Sequence, residues 1–296
     1  MSDPMVFSGI IVRATGGNYY VETPDGDVVK CAARGIFRAR GISPAAGDFV
    51  RVETEGDPVI TDISERRNYL VRPPLANLDV IVFVNSTSKP AVNSFILDKL
   101  IAIADSNGIE PIIAFTKIDL KTAGEFPEIY RKIGIPVCVV DNLTGEGACD
   151  VKRLIAGKTA AFVGNSGVGK SSLLNNLYPE LNLDIADISK KLGRGRHTTR
   201  QVELFKKDGG YIADTPGFST VDTERYCKIP KEELDYAFRE FRPLLGKCEF
   251  ANCAHIKERG CAVKAAAESG EIAQSRYRSY VRMFEESKND WEKGSK

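Results

Sequence analysis

Gly164-Asn165-Ser166-Gly167-Val168-Gly169-Lys170-Ser171 fits the pattern G-x-x-x-x-G-K-[ST]. Glycines at these places let the backbone wrap closely round a phosphate chain, so that N–H groups and a helix N-terminus meet its negative charge. Lys170 is then placed to reach the β- and γ-phosphates, the Ser171 hydroxyl to hold Mg²⁺, and Ser172 adjoins the same turn. Thr116-Lys117-Ile118-Asp119 reads as a base-recognition loop. A carboxylate at Asp119 can accept from guanine N1–H and the 2-amino group together, while the Lys117 stem covers the ring face. Adenine offers no such donor pair, so Asp119 selects GTP over ATP. Thr116 stands where Asn is usual, and its hydroxyl can make part of the link to the phosphate loop. Asp214-Thr215-Pro216-Gly217 follows about 45 residues beyond that loop. There the Asp214 carboxylate is placed to hold Mg²⁺ through water, and the Gly217 N–H to bond the γ-phosphate. The base reader precedes the phosphate loop, the reverse of the usual order, which implies a circular permutation.

Between these motifs runs Ser189–Arg200, carrying Lys190, Lys191, Arg194, Arg196 and Arg200 and no acid. Thr198 or Thr199 could contact Mg²⁺ and the γ-phosphate, and Thr199, the residue before Arg, is favoured. The cations suit an RNA-phosphate footprint. Phe218 occupies the place where small GTPases use Gln to orient the attacking water. His197, with an imidazole that titrates near neutrality, is the candidate for that task.

Cys248, Cys253, His255 and Cys261 lie within 14 residues as C-x4-C-x-H-x5-C. Three thiolates and an imidazole make a closed tetrahedral zinc site of the structural type. Cys31, Cys138, Cys149 and Cys227 are scattered and read as buried apolar residues.

The elements around these motifs divide the chain into three. Val6–Ala14, Tyr19–Glu22, Val28–Ala32, Asp48–Glu53 and Val59–Ile63 read as short strands separated by turn residues, a small OB-type barrel over residues 1–72. Pro73-Pro74 reads as a linker. Strand and helix then alternate over 73–222. Val80–Val84, Pro111–Phe115, Val137–Val140 and Thr159–Val163 have the continuous apolar character of strands buried on both faces. Gln201–Phe205 and Gly210–Asp214 read as an antiparallel pair turning at Asp208-Gly209-Gly210. This is a doubly wound α/β sheet. Residues 223–296 read as helical, with helices over Lys231–Glu240 and Glu271–Ser287 flanking the cysteine cluster.

Composition agrees with a globular, cytoplasmic chain. Hydrophobic residues make up 43% and charged residues 27%, and no apolar run is long enough for a membrane helix. Met1-Ser2-Asp3-Pro4 lacks the basic and apolar regions of a signal peptide. A net charge of +1 excludes a polycation. Binding to nucleic acid must therefore come from local patches. Three are expected: Arg34, Phe37, Arg38 and Arg40 in the barrel, the basic loop, and Arg276, Arg278 and Arg282 with Tyr277 and Tyr280.

Taken together, these residues resemble the ribosome-small-subunit-dependent, circularly permuted GTPases of the bacterial YjeQ/YloQ (RsgA) family. The resemblance covers essentially the whole chain. It includes Gly193–Thr199, Asp214–Phe218 and the Cys248, Cys253, His255, Cys261 cluster. It implies an OB barrel, a permuted P-loop GTPase domain and a zinc-binding helical domain in a monomeric, late-acting maturation factor of the small ribosomal subunit. It further implies contact with rRNA, a GTP/GDP cycle with Mg²⁺, one structural Zn²⁺, and His197 as the catalytic histidine. Asp141-Asn142-Leu143 departs from the Ser-Ala-like base-contacting loop the family leads one to expect.

Overall fold

The computed structural model describes residues 6–71, 73–181, 202–214 and 229–294. Its first five strands are β1 (Val6–Thr15), β2 (Asn18–Glu22), β3 (Val28–Ala33), β4 (Phe49–Glu53) and β5 (Val59–Ile63), with helix α1 (Gly35–Ala39) after β3. The antiparallel β1 pairs with both β2 and β4, and β3 pairs in parallel with β5, so the sheet closes into the expected barrel. Ile11, Val21, Cys31, Val50, Val52 and Ile60 fill it. Phe37 on α1 also belongs to this core, at 5% exposure, and is not a surface aromatic among cations. Arg34 is engaged by Glu53 at 2.7 Å. Of the expected barrel patch, Arg38 and Arg40 remain exposed without an ion pair among the described residues.

The Pro73-Pro74 segment is not an open linker. It lies in a small hairpin of β6 (Tyr69–Val71) and β7 (Pro74–Ala76), whose Leu70 and Leu75 are buried. Proline is tolerated there because Pro73 lies in the turn and Pro74 is the first residue of β7.

The central domain follows as β8 (Val80–Ser86), α2 (Ser94–Ser106), β9 (Glu110–Thr116), α3 (Phe126–Lys132), β10 (Val137–Val139), α4 (Ala148–Ile155), β11 (Thr159–Val163), α5 (Lys170–Leu177), β12 (Glu203–Lys207) and β13 (Gly210–Asp214). Its strands lie in the order β10-β9-β8-β11-β13-β12, all parallel except β12. Apolar clusters cover both faces, as a parallel sheet requires. The strand feeding the phosphate loop, β11, lies between β8 and β13, so three chain-distant strand ends meet at one edge.

Barrel and central sheet are continuous, joined where Arg13 of β1 pairs with Glu203 of β12. Glu22, at 7% exposure on β2, accepts from Lys206 Nζ of β12 and from the Tyr211 hydroxyl of β13 at 3.2 Å. Burial, reinforced by the Glu22 carboxylate, pushes the Tyr211 phenol up to about 12, so it stays a donor at neutral pH.

The C-terminal region has α6 (Ala262–Glu268) and α7 (Gln274–Gly294) packed on Leu234, Phe238 and Phe241. The expected helix over Lys231–Glu240 is a 3₁₀ turn at Lys231–Glu233 followed by further tight turns. Bonds such as Phe238 N–H to Asp235 O and Phe241 N–H to Phe238 O span three residues. That tighter repeat puts Phe238 and Phe241 on one face, their rings 5.2 Å apart, and core packing selects it over the α-helix. No helix among the described residues is long and apolar enough to cross a membrane.

Candidate active site and metal centre

The phosphate-loop residues fold as the spacing predicts. Val163 ends β11, the loop turns through Gly164–Gly169, and Lys170 opens α5. A Cβ on Gly164 would lie 2.5 Å from the Val84 carbonyl oxygen, so only glycine lets this turn cross β8. Gly169 has φ +92°, and a Cβ there would meet Asn142 Nδ2 at 2.7 Å. Glycine is the residue that adopts this backbone without strain. Val168 and Ser171 are buried, while Asn165, Ser166 and Gly167 are exposed at the mouth.

Thr116-Lys117-Ile118-Asp119 leaves the end of β9, beside β8. Thr116 is fully buried, and its Oγ1 lies within hydrogen-bond reach of the Val168 carbonyl of the phosphate loop and, at 3.2 Å, of the Asn85 carbonyl. The sequence expectation that a hydroxyl would make part of this link agrees with the geometry. Lys117 has φ +60°, a left-handed conformation that costs a non-glycine residue on the order of 1–3 kcal/mol. Surrounding bonds hold it there. Thr87 Oγ1 donates to the Lys117 carbonyl at 2.8 Å, and Lys117 Nζ to the Lys89 carbonyl at 2.6 Å. Ile118 is half-buried and Asp119 is exposed.

Asp214 ends β13, and β13 runs parallel to β11, so its backbone reaches the same sheet edge. Ligands of open α/β sheets bind along that edge. Ser189–Arg200 with His197, Thr198 and Thr199, and Thr215–Phe218 with Gly217, lie outside the described residues, as does Cys227.

Two residues of this region have roles that the sequence alone does not assign. Asn142, in the loop after β10, donates from Nδ2 to the Gly169 carbonyl at 3.0 Å. Thr87 fixes the strained Lys117. Only the first left a trace in the sequence, since Thr for Asn at position 116 implies a missing donor somewhere.

The cysteine cluster assembles as expected. The ligand atoms of Cys248, Cys253, His255 and Cys261 all lie within 4.8 Å of one another. Cys248 Sγ and Cys261 Sγ are 3.9 Å apart, and His255 Nδ1 lies 3.6 and 3.3 Å from them. A tetrahedron with Zn–S bonds of about 2.3 Å has edges of roughly 3.8 Å, so the donor set fits zinc in size and in kind. Burial lowers the His255 pKa against the opposing pull of Asp235, keeping the imidazole neutral as a ligand must be. Asp235 Oδ2 lies 3.7 Å from Nε2, the far side of the ring, where a carboxylate orients a ligating histidine. Burial opposes ionisation of Glu258, yet the N–H groups of Ala254, Ile256 and Lys257 hold its carboxyl down to about 2 and fold the loop round it. Of the remaining cysteines, Cys31 and Cys138 are buried as expected, but Cys149 is exposed at the solvent side of α4.

The expected aromatic and basic face of α7 does not exist as such. Arg276 is wholly buried, and Tyr277 and Tyr280 donate to the carbonyls of His255 and Ala254, tying α7 to the loop of the cysteine cluster. Arg278 and Arg282 are exposed.

Strand order, phosphate loop and base-reader loop define a P-loop GTPase domain with permuted connectivity, set between a five-stranded barrel and a helical region with a Cys₃His cluster. Family models described as RsgA GTPase and RsgA N-terminal domain match residues 63–224 and 8–59. The chain belongs to the RsgA GTPase family. It is 43% identical over 293 residues to the small ribosomal subunit biogenesis GTPase RsgA of Bacillus subtilis, covering 95% of this chain and 97% of that one. The RsgA of Caldanaerobacter subterraneus is also 43% identical, over 286 residues, with 95% of each covered. Among solved structures, YloQ, described as a circularly permuted GTPase, matches with TM-score 0.80 and 36% identity over 97% of this chain and 96% of that one. YjeQ from Thermotoga maritima matches with TM-score 0.80 and 34% identity over 95% and 98%.

Proposed function

We propose that this GTPase acts late in maturation of the small ribosomal subunit, binding the subunit and its rRNA in the GTP state and leaving when the subunit stimulates hydrolysis. The observation that carries the reading is the contact of Thr116 with the Val168 carbonyl, which couples a guanine-reading loop to a phosphate loop. In this reading Gly164–Ser172 cradles the phosphates and Lys170 offsets their charge. Thr116, Lys117, Ile118 and Asp119 hold the base. Ser171, Thr199 and Asp214 would hold Mg²⁺, which supplies charge neutralisation at the phosphates. Gly217 bonds the γ-phosphate end, and His197 orients the attacking water where Phe218 cannot. Cys248, Cys253, His255 and Cys261 would hold one structural Zn²⁺, which stabilises the C-terminal fold. The protein acts as a cytoplasmic monomer away from membranes.

The permuted order gives the cycle a direct output. The chain leaving the Asp214–Phe218 switch continues in sequence into the region with the cysteine cluster, so a change at the switch would reach that outer module along the chain itself. The test compares GTP and ATP hydrolysis with and without purified small subunits. GTP-selective turnover that rises on adding subunits supports the reading. ATP turnover equal to that of GTP, or indifference to subunits, defeats it.

A further inference from the structure

The way the phosphate loop is held extends the GTPase reading and rests on it. Thr116 occupies the place where an asparagine commonly ties the base-reader loop to the phosphate loop. A carboxamide carries two N–H donors, whereas a hydroxyl carries one. The single Thr116 hydrogen already lies between two acceptors, the carbonyls of Asn85 and Val168. It has nothing left for the next carbonyl of the loop, that of Gly169. Asn142 fills this gap from a different strand end, with Nδ2 donating to the Gly169 oxygen at 3.0 Å.

The loop that carries Asn142 is built to keep it there. Val140 N–H bonds the Phe115 carbonyl at 2.7 Å, anchoring the loop's start to β9. Asp141 Oδ1 accepts from Leu143 N–H at 2.8 Å, and Asp141 N–H donates to the Glu146 carbonyl at 3.0 Å. On the far side Asn176 of α5 donates to the Asn142 carbonyl at 3.1 Å. The amide oxygen of Asn142 is buried and makes no hydrogen bond, so the Gly169 contact is what fixes the side chain. Gly169 leaves the room, since a Cβ there would overlap Nδ2.

We propose that Asn142 is a positioning residue for the nucleotide, supplying to Gly169 the carboxamide donor that Thr116 lacks and thereby fastening the end of the phosphate loop to the base end of the site. The Asn of the reader motif and the Asn142 of this chain are then two solutions to one requirement, and each should substitute for the other.

The experiment titrates full-length protein with GDP and with a non-hydrolysable GTP analogue, and records thermal midpoints for the same samples. Asn142→Ala, and the near-isosteric Asn142→Asp that cannot donate, should each weaken binding roughly two- to tenfold, the worth of one hydrogen bond, through faster dissociation. Thr116→Asn in the Asn142→Ala background should restore affinity to within about twofold of wild type. Unchanged affinity in both Asn142 variants overturns the proposal. So does a lowered thermal midpoint with no loss of affinity, or a failure of Thr116→Asn to rescue. A wild-type chain that binds ATP as well as GTP would instead strike the GTPase reading, and the inference with it.

Discussion

Arg276 on α7 and Asp98 on α2, each side chain 1% exposed, meet at 2.9 Å across the seam between the C-terminal region and the nucleotide-binding domain. Both charges are fully engaged. Glu240 accepts from Arg276 at 2.7 and 3.1 Å, and Asp98 also accepts from the Tyr130 and Ser279 hydroxyls at 2.9 and 2.6 Å. Nearby, Arg239 pairs with Asp105 at 2.6 Å and with Glu110 at 3.2 Å. Dense pairing of this kind is what a buried ion cluster needs to offset its desolvation. It fixes the region with the Cys₃His cluster against α2 in one orientation.

Removing one partner strands the rest. Arg276→Met should lower unfolding stability by about 3–5 kcal/mol, because Asp98 and Glu240 would be left buried and uncompensated. Denaturant unfolding of the variant checks this. A salt series of subunit binding should at the same time keep its wild-type slope, since a buried guanidinium contacts no RNA phosphate.

Base selectivity should rest on Asp119. Hydrogen bonds to a charged group contribute roughly 1.5–3 kcal/mol each, so loss of a pair should weaken GTP binding at least tenfold. Asp119→Asn should in turn favour xanthosine triphosphate, whose 2-carbonyl accepts where guanine donates. Titration of the variant with both nucleotides decides it, and unchanged GTP affinity would remove the base-reading role.

His197→Ala should cut subunit-stimulated turnover by roughly 10²–10⁴-fold, the range for a general base or water-positioning group. GTP affinity should stay within a few-fold. Wild-type turnover by the variant on subunits would make His197 an RNA contact or a bystander.

Elemental analysis should find one zinc per chain. Chelation, or Cys253→Ser, should loosen the region around α6 and the N-terminal turns of α7, because metal binding there is coupled to folding. Guanine nucleotide binding should survive, since among the described residues the two central clusters draw none from beyond Ala213. Loss of nucleotide binding together with zinc would show that the regions fold as one unit.

What the sequence disclosed, and what it hid, follows from the range of the interactions. Val80–Val84 and Thr159–Val163 were legible because a strand buried on both faces must be apolar throughout. The phosphate loop was legible because its glycines and Lys170 answer to local backbone geometry. Phe37 and Arg276 were misread for the opposite reason. An aromatic among arginines, or arginines interleaved with tyrosines, looks alike whether it faces RNA or folds inward. Only the acids that lie far along the chain, Asp98 and Glu240, tell the two apart for Arg276. Lys231–Glu240 has an acceptable helical pattern, and the choice of tighter turns came from packing Phe238 against Phe241. Asn142 was noticed only as a departure, because its partner Gly169 lies 27 positions away.

The barrel meets the nucleotide-binding domain at the β12–β13 hairpin. Lys206 and Tyr211 sit on the β12–β13 hairpin, and Glu22 on β2 receives both. The chain entering β12 comes from the segment with His197 and Thr199, and the chain leaving β13 continues into Gly217. In the proposed cycle both flanking segments contact the nucleotide, and the hairpin would carry their state to the barrel through Glu22. Glu22→Gln keeps the shape but removes the charge. Lys206 is half exposed, so the stability cost should be only about 1 kcal/mol. The functional cost should be larger and selective: subunit-stimulated turnover falls several-fold while turnover without subunits stays unchanged. Measuring both rates on one preparation separates coupling from damage. An equal fall in the two rates would mean that Glu22 supports the fold and relays nothing.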